Sequence, residues 1–187
     1  ILIALLFGLA VIGERAYSLL NSSSNTDQFF EDVKTLYNDS GKKQAIELCE
    51  NTPGPVASIF YAGLSKMGNA KEEIEKAVQN AGGLEMAFLE KNMIWINSVI
   101  TIAPMLGFTG TVVGMIKAFE DIKMANDISP AVVAGGISQA LLTTAFGLIV
   151  AMIMQVAQNF FVSMIDKLIL DMEEQSIKIV EYLHSSK

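Results

Sequence analysis

Thr109, Thr111, Ser138, Gln139, Thr143 and Thr144 lie in two stretches that contain no Asp, Glu, Lys, Arg or His. Hydroxyls with trapped water can relay a proton, although neither is a good carrier at neutral pH. A threonine hydroxyl also bonds back readily to its own helix, so packing is the competing explanation for each. Gln139 differs, because an amide placed in lipid must find partners. With no titratable group in either stretch, any proton route through this chain needs an acid from a partner. Other chemistries have less to work with. Cys49 is the single cysteine, which excludes a disulfide framework and a cysteine-based zinc site. His184 is the single histidine and is the fourth residue from the end, so a histidine triad or multi-His metal site is excluded. No nucleophile–base pair can be assembled, no enzyme activity is expected, and no cofactor is implied.

The elements that must position these residues follow from the charge pattern. The chain has 187 residues, 51% hydrophobic and 18% charged, where soluble domains carry roughly 25% charge. Mean hydropathy is +0.42. A net charge of −7 argues against a nucleic-acid surface. The charge-free runs from 92 to 116 and from 128 to 165 hold 25 and 38 residues, against about 20 for a spanning helix. A third run, 1–13, is expected to continue through Leu20 as a first span clipped at its N-terminus, since no initiator Met precedes it. A signal peptide fits poorly, because no basic segment comes first and Glu14-Arg15 follows. Eleven of the thirteen Lys and Arg lie in 14–91 and 166–187, which the positive-inside rule assigns to the cytoplasm. The expectation is an all-α membrane protein with its N-terminus outside and its C-terminus in the cytoplasm. Its parts are a first span over 1–21, a cytoplasmic helical domain over 22–92, a second span over 93–118, an outer loop over 119–130 (periplasmic if the membrane is a bacterial inner membrane), a third span over 131–160 and a cytoplasmic helix over 161–187.

Within 22–92 the pattern predicts short helices. Thr26 is the expected cap of a helix carrying Phe29, Phe30, Val33, Leu36 and Tyr37 at helical spacing, ended by Asp39-Ser40-Gly41. A second covers Lys42 to Glu50, and Pro55 opens a third that runs to about Met67. Asn69 with Glu72 reads as a capping box. This domain is either a docking surface or a solvated collar for the spans. From Lys71 to about Asp121 the only candidate stops are Gly82-Gly83 and Pro104, so one long helix is expected to continue into the membrane. Ser129 as cap and Pro130 at the first position start a last helix to about Leu183, about 80 Å at 1.5 Å per residue. Its Ile165, Leu168, Met172, Ile179 and Leu183 form one apolar stripe for packing on its own domain or on a neighbouring subunit.

The two long spans carry small residues at spacings of three or four. The second has Pro104, Gly107, Gly110, Thr111, Gly114 and Ala118; the third has Gly136, Ala140, Thr143, Thr144, Gly147 and Ala151. Such rows let helix backbones approach closely in lipid. Pro104 removes one backbone bond and crowds the carbonyl of Ile100, so a kink or local water is expected. A tight bundle without traffic and a narrow hydroxyl-lined passage both remain open at this point.

The run Ala103-Pro104-Met105-Leu106-Gly107-Phe108-Thr109-Gly110-Thr111-Val112-Val113-Gly114-Met115 is similar to the A-P-x-x-G-x-x-G-T-V-x-G-[IM] motif of the ExbB/TolQ/MotA family. The run from Gly136 through Gln139, Thr143, Thr144 and Gly147 to Leu148 is similar to the family's G-I-x-E-A-L-x-x-T-A-x-G-L. No fourth span of the MotA kind is found, so the chain most resembles the three-span ExbB and TolQ branch. The resemblance implies a homo-oligomeric, pentameric ring in the bacterial inner membrane. Its second and third spans would line a central pore around a single-span ExbD- or TolR-like partner. The partner's membrane Asp would supply the missing acid, with Thr111 and Thr144 facing it, and motion would pass to a TonB-like or TolA-like protein. Gln139 departs from the pattern: ExbB and TolQ usually have a Glu there. An amide cannot ionise, so its expected role is to order water or the partner helix.

Overall fold

The computed structural model describes residues 1–22, 25–125 and 130–185. Seven α-helices account for nearly all of them: α1 (Leu2–Ser22), α2 (Thr26–Ser40), α3 (Lys42–Asn51), α4 (Pro55–Ser65), α5 (Lys71–Leu89), α6 (Met93–Ala125) and α7 (Pro130–Ser185). No strand occurs among the described residues. Three stretches, in α1, α6 and α7, are long and apolar enough to cross a membrane by length and composition. The chain divides into two compact units, one of residues 1–15 and 92–160, the other of residues 16–91 and 161–187.

Local chemistry sets the ends of the short helices. Asn25, rather than Thr26, caps α2, its side-chain oxygen accepting from the Gln28 N–H at 3.4 Å. The Asx side chain reaches the free amides of the first turn, and Thr26 becomes the first helical residue. The expected capping box does not form at α5, whose cap makes no side-chain bond. Ala70 is the cap of α5, and Asn69 Nδ2 instead donates to Glu73 at 2.6 Å. Gly54 takes φ 131, which a side chain would resist, and Pro55 then supplies the first turn of α4. The cap expected at Ser129 lies outside the described residues.

The long helix expected from Lys71 is interrupted, though not at its glycines or its proline. α5 runs through Gly82-Gly83 and α6 through Pro104, while the chain turns at 90–92, with Asn92 at φ 66. Asparagine tolerates this left-handed region better than most residues. Its side chain is also tied down, Nδ2 donating to Glu14 Oε2 at 3.2 Å.

The core of the 16–91 and 161–187 unit is built on Phe60. Its ring stacks on Phe29 at 5.6 Å and meets Phe30 edge-on at 5.9 Å. Ile59, Leu64, Ile179 and Leu183 are fully or almost fully buried. The apolar stripe at the end of α7 thus packs on its own domain: Ile165, Leu168, Met172, Ile179 and Leu183 are all buried. Cys49 is buried as well, and burial pushes its thiol up to about 12. In the other unit Ile96, Val99, Ala103, Val150 and Met154 are buried between helices. Gly8 of α1 sits against Met154, and Phe7 meets Trp95 edge-on at 6.0 Å.

Candidate functional site

The small residues of α6 and α7 meet in one antiparallel seam. A Cβ added at Gly147 would stand 2.5 Å from the Ala103 carbonyl oxygen, and one at Gly107 would stand 2.9 Å from Thr144 Cα. One at Gly114 would lie 2.8 Å from Ala140 Cβ, and one at Gly136 would lie 2.7 Å from Ala118 Cβ. At Gly110 the neighbour is the Thr143 side chain. Backbone therefore touches backbone along the seam, which larger side chains would forbid.

Close approach brings hydroxyls of one helix to carbonyls of the other. Thr144 Oγ1 donates to the Gly107 carbonyl at 2.9 Å. Thr143 Oγ1 donates to Ala140 O at 2.7 Å and lies 3.3 Å from the same Gly107 oxygen. Gly107 is buried, whereas Thr111, one turn further along α6, is half-buried and its hydroxyl donates to Phe108 O. Thr109 is exposed and donates to Met105 O at 2.8 Å. Each of these hydroxyls keeps lone pairs that can accept from outside the chain. Pro104 is half-buried beside the seam and offers no N–H to the Ile100 carbonyl.

Gln139 is not part of this cluster. It is exposed, and its amide has no partner among the described residues. At about 100° per residue it lies about 140° around α7 from Thr144. The structure thus gathers Thr143, Thr144, Gly107, Gly110 and Ala140, places Thr111 at the edge, and turns Gln139 to another face.

Two polar features were not singled out by spacing. Gln155 and Asn159 are exposed near the end of the second charge-free run, with Gln155 Nε2 donating to Asn159 Oδ1 at 3.0 Å. Their i,i+4 spacing was the available signal. Arg15 is 2% exposed and donates through Nε to Glu14 at 2.6 Å, while its Nη1 is buried with no acceptor among the described residues. No group of three or more His, Cys, Asp or Glu side chains among the described residues forms a metal site.

A family model described as the MotA/TolQ/ExbB proton channel family matches residues 51–174. The chain is 30% identical over 161 residues to an ExbB-like biopolymer transport protein of Synechocystis sp., which covers 85% of this chain and 77% of that protein. It is 30% identical over 145 residues to an ExbB-homologue biopolymer transport protein of Methanothermobacter thermautotrophicus, 78% of this chain and 51% of that one. It is also 27% identical over 144 residues to the Tol-Pal system protein TolQ of Pseudomonas aeruginosa, 70% of this chain and 58% of that one. The chain thus spans between about half and about three-quarters of the length of these relatives.

Proposed function

Since the chain belongs to the MotA/TolQ/ExbB proton channel family, we propose that it is the ring-forming, ExbB-like subunit of a motor driven by the proton-motive force. In this reading five copies surround the single spans of an ExbD-like partner in the bacterial inner membrane. The motor energises TonB-dependent transport across the outer membrane. The N-terminus lies in the periplasm and the C-terminus in the cytoplasm. Thr111 and Thr144 face the partner's membrane Asp, with Thr143 behind them and Gln139 ordering water or the partner helix.

One observation carries the reading. The α6–α7 seam is packed backbone to backbone around Thr144 and Gly107, and the sequence has no ionisable side chain between Lys91 and Lys117 or between Asp127 and Asp166. A proton path beside such a seam needs its acid from a second protein. Exposed Phe108, Val113, Leu141 and Phe146 on the same two helices supply apolar surface for lipid and for neighbouring copies.

Two other readings have support of their own. Similarity to TolQ favours a Tol-type motor acting through a TolA-like protein. The hydroxyls of Thr143, Thr144 and Thr111 all donate to carbonyls of their own chain, which favours a non-conducting scaffold for a partner helix.

Native mass spectrometry of the detergent-purified protein, expressed with and without its one-span neighbour, tests the assembly. Five copies gaining two of the neighbour are expected. A monomer or a simple dimer that ignores the neighbour overturns the ring. Proton flux in vesicles that hold both subunits then separates motor from scaffold.

A further inference from the structure

α7 has three distinct faces between Ala140 and Phe160. One is the buried seam, with Ala140, Gly147, Val150 and Met154. A second exposes large apolar side chains: Ile153 is 47%, Val156 71% and Phe160 63% exposed. The third carries Thr144, Gln155 and Asn159, together with the exposed apolar side chains of Leu141, Leu148 and Met152. At 100° per residue, Gln155 and Asn159 lie only about 20° and about 60° around the helix from Thr144. Val156 and Phe160 lie at about 120° and about 160° on the same scale.

The two exposed faces differ at the same height along the helix axis. Val156 is one residue from Gln155, and Phe160 is one residue from Asn159, so depth in the bilayer cannot account for amides on one side and large apolar groups on the other. Gln155 Oε1 and Asn159 Nδ2 have no partner among the described residues, because the one bond between the amides uses only Gln155 Nε2 and Asn159 Oδ1. Amide groups left open toward hydrocarbon are costly, whereas toward water they are not. Between Thr144 and Gln155 the face carries apolar side chains, Leu148, 48% exposed and one turn beyond Thr144, and Met152, 60% exposed at its edge.

We propose that the Gln155–Asn159 face of α7 lines a water-filled vestibule on the cytoplasmic side of the ion route, ending at an apolar constriction at Leu148. The inference rests on the reading of the protein as an ion-conducting ring. Neither amide ionises, so Gln155 and Asn159 hold and orient water and do not carry the proton. Leu148 separates that water from the Thr144 hydroxyl, in the way apolar constrictions gate by dewetting.

Cysteine accessibility tests the face directly. Gln155→Cys, Asn159→Cys, Leu148→Cys, Val156→Cys and Phe160→Cys are made in the full chain, co-expressed with its one-span partner. Vesicles with the cytoplasmic face outward are treated with the membrane-impermeant reagent methanethiosulfonate ethyltrimethylammonium. The wild-type chain gives the background, which is low because the Cys49 thiol is buried and pushed up to about 12. The reagent attacks thiolate, which forms in water, so positions 155 and 159 are expected to react at least about tenfold faster than 148, 156 and 160. Equal rates at 155, 156, 159 and 160 overturn the vestibule, and rapid reaction at 148 overturns the constriction.

Flux then tests the role. Asn159→Leu is expected to cut proton flux by about tenfold or more, while Asn159→Gln restores most of it and both keep the native mass of the complex. Unchanged flux in Asn159→Leu removes the residue from the route. Absence of flux in the wild-type complex sinks the motor reading itself, a result that the labelling pattern does not depend on.

Discussion

Thr144 donates its hydroxyl proton to a carbonyl on another helix, 37 residues away in the chain, and that contact governs what its replacement should do. Thr144→Val keeps the shape and removes the donor, at a cost of about 1 kcal/mol in stability. On the proposed ExbB-like reading the ring should still assemble while TonB-dependent uptake falls to a small fraction, and retained uptake in that strain would remove Thr144 from the route. Gln139→Glu should keep partial activity, since Gln139 is exposed and has no partner among the described residues. The glycines sort by their neighbours. At Gly147 an added methyl would sit 2.5 Å from a backbone oxygen, so Gly147→Ala should destabilise by about 1–3 kcal/mol. At Gly83, inside α5, it would meet nothing within 4 Å, so Gly83→Ala should stabilise by about 1 kcal/mol. Thermal unfolding of the two variants in detergent checks both signs.

At the scale of elements, α2 is fastened to the end of α7 by a small polar clamp. Asp27 Oδ1 accepts from Gln175 Nε2 at 2.8 Å and from Lys178 Nζ at 2.7 Å, and Lys178 also pairs with Glu174 at 2.8 Å. The Lys178 ammonium and then the Gln175 amide hold the Asp27 carboxyl below the usual carboxylate range. Asp27, and then Glu174, push the Lys178 ammonium above its ordinary value. The depressed acid contributes stability above its ordinary pKa of about 3.9, and that contribution disappears as pH falls through the folded value. The raised base contributes below about 10.4 and stops contributing as pH rises through its folded value. The Tm difference between the wild type and Lys178→Met should therefore be flat from about pH 5 to pH 9 and shrink on both sides. A difference that changes most near neutrality would contradict the clamp. Phe60 anchors the same junction from the apolar side, and Phe60→Ala should cost about 3–5 kcal/mol, read from denaturant unfolding of the full chain.

Across the whole molecule, eleven of the thirteen basic residues fall in 14–91 and 166–187, and Lys117 and Lys123 are the other two. The positive-inside rule then makes a definite prediction. A green fluorescent reporter fused after Lys187 should fluoresce, and alkaline phosphatase fused at the same place should be inactive. The reverse pair of results would invert the topology. The division into two compact units cuts across α1 and α7, so both units contain part of each of these helices.

The helical class, the three apolar stretches, the small-residue rows and the family were legible in the chain of residues alone. Each depends on runs or short spacings that a single helix imposes on its own residues. The amphipathic stripe from Ile165 to Leu183 was legible for the same reason, although not what it packs on. Tertiary structure alone decided the rest. Asn92, and not Gly82-Gly83 or Pro104, turned out to break the long helix, since its left-handed backbone is tied to Glu14, 78 residues away. Thr144 found Gly107, and Gln139 turned outward, because helix rotation and register are set by contacts between distant segments. Gln155 and Asn159 had the ordinary spacing of a helical pair. Their exposure beside the exposed Val156 and Phe160, which spacing does not give, is the observation on which the proposed vestibule rests.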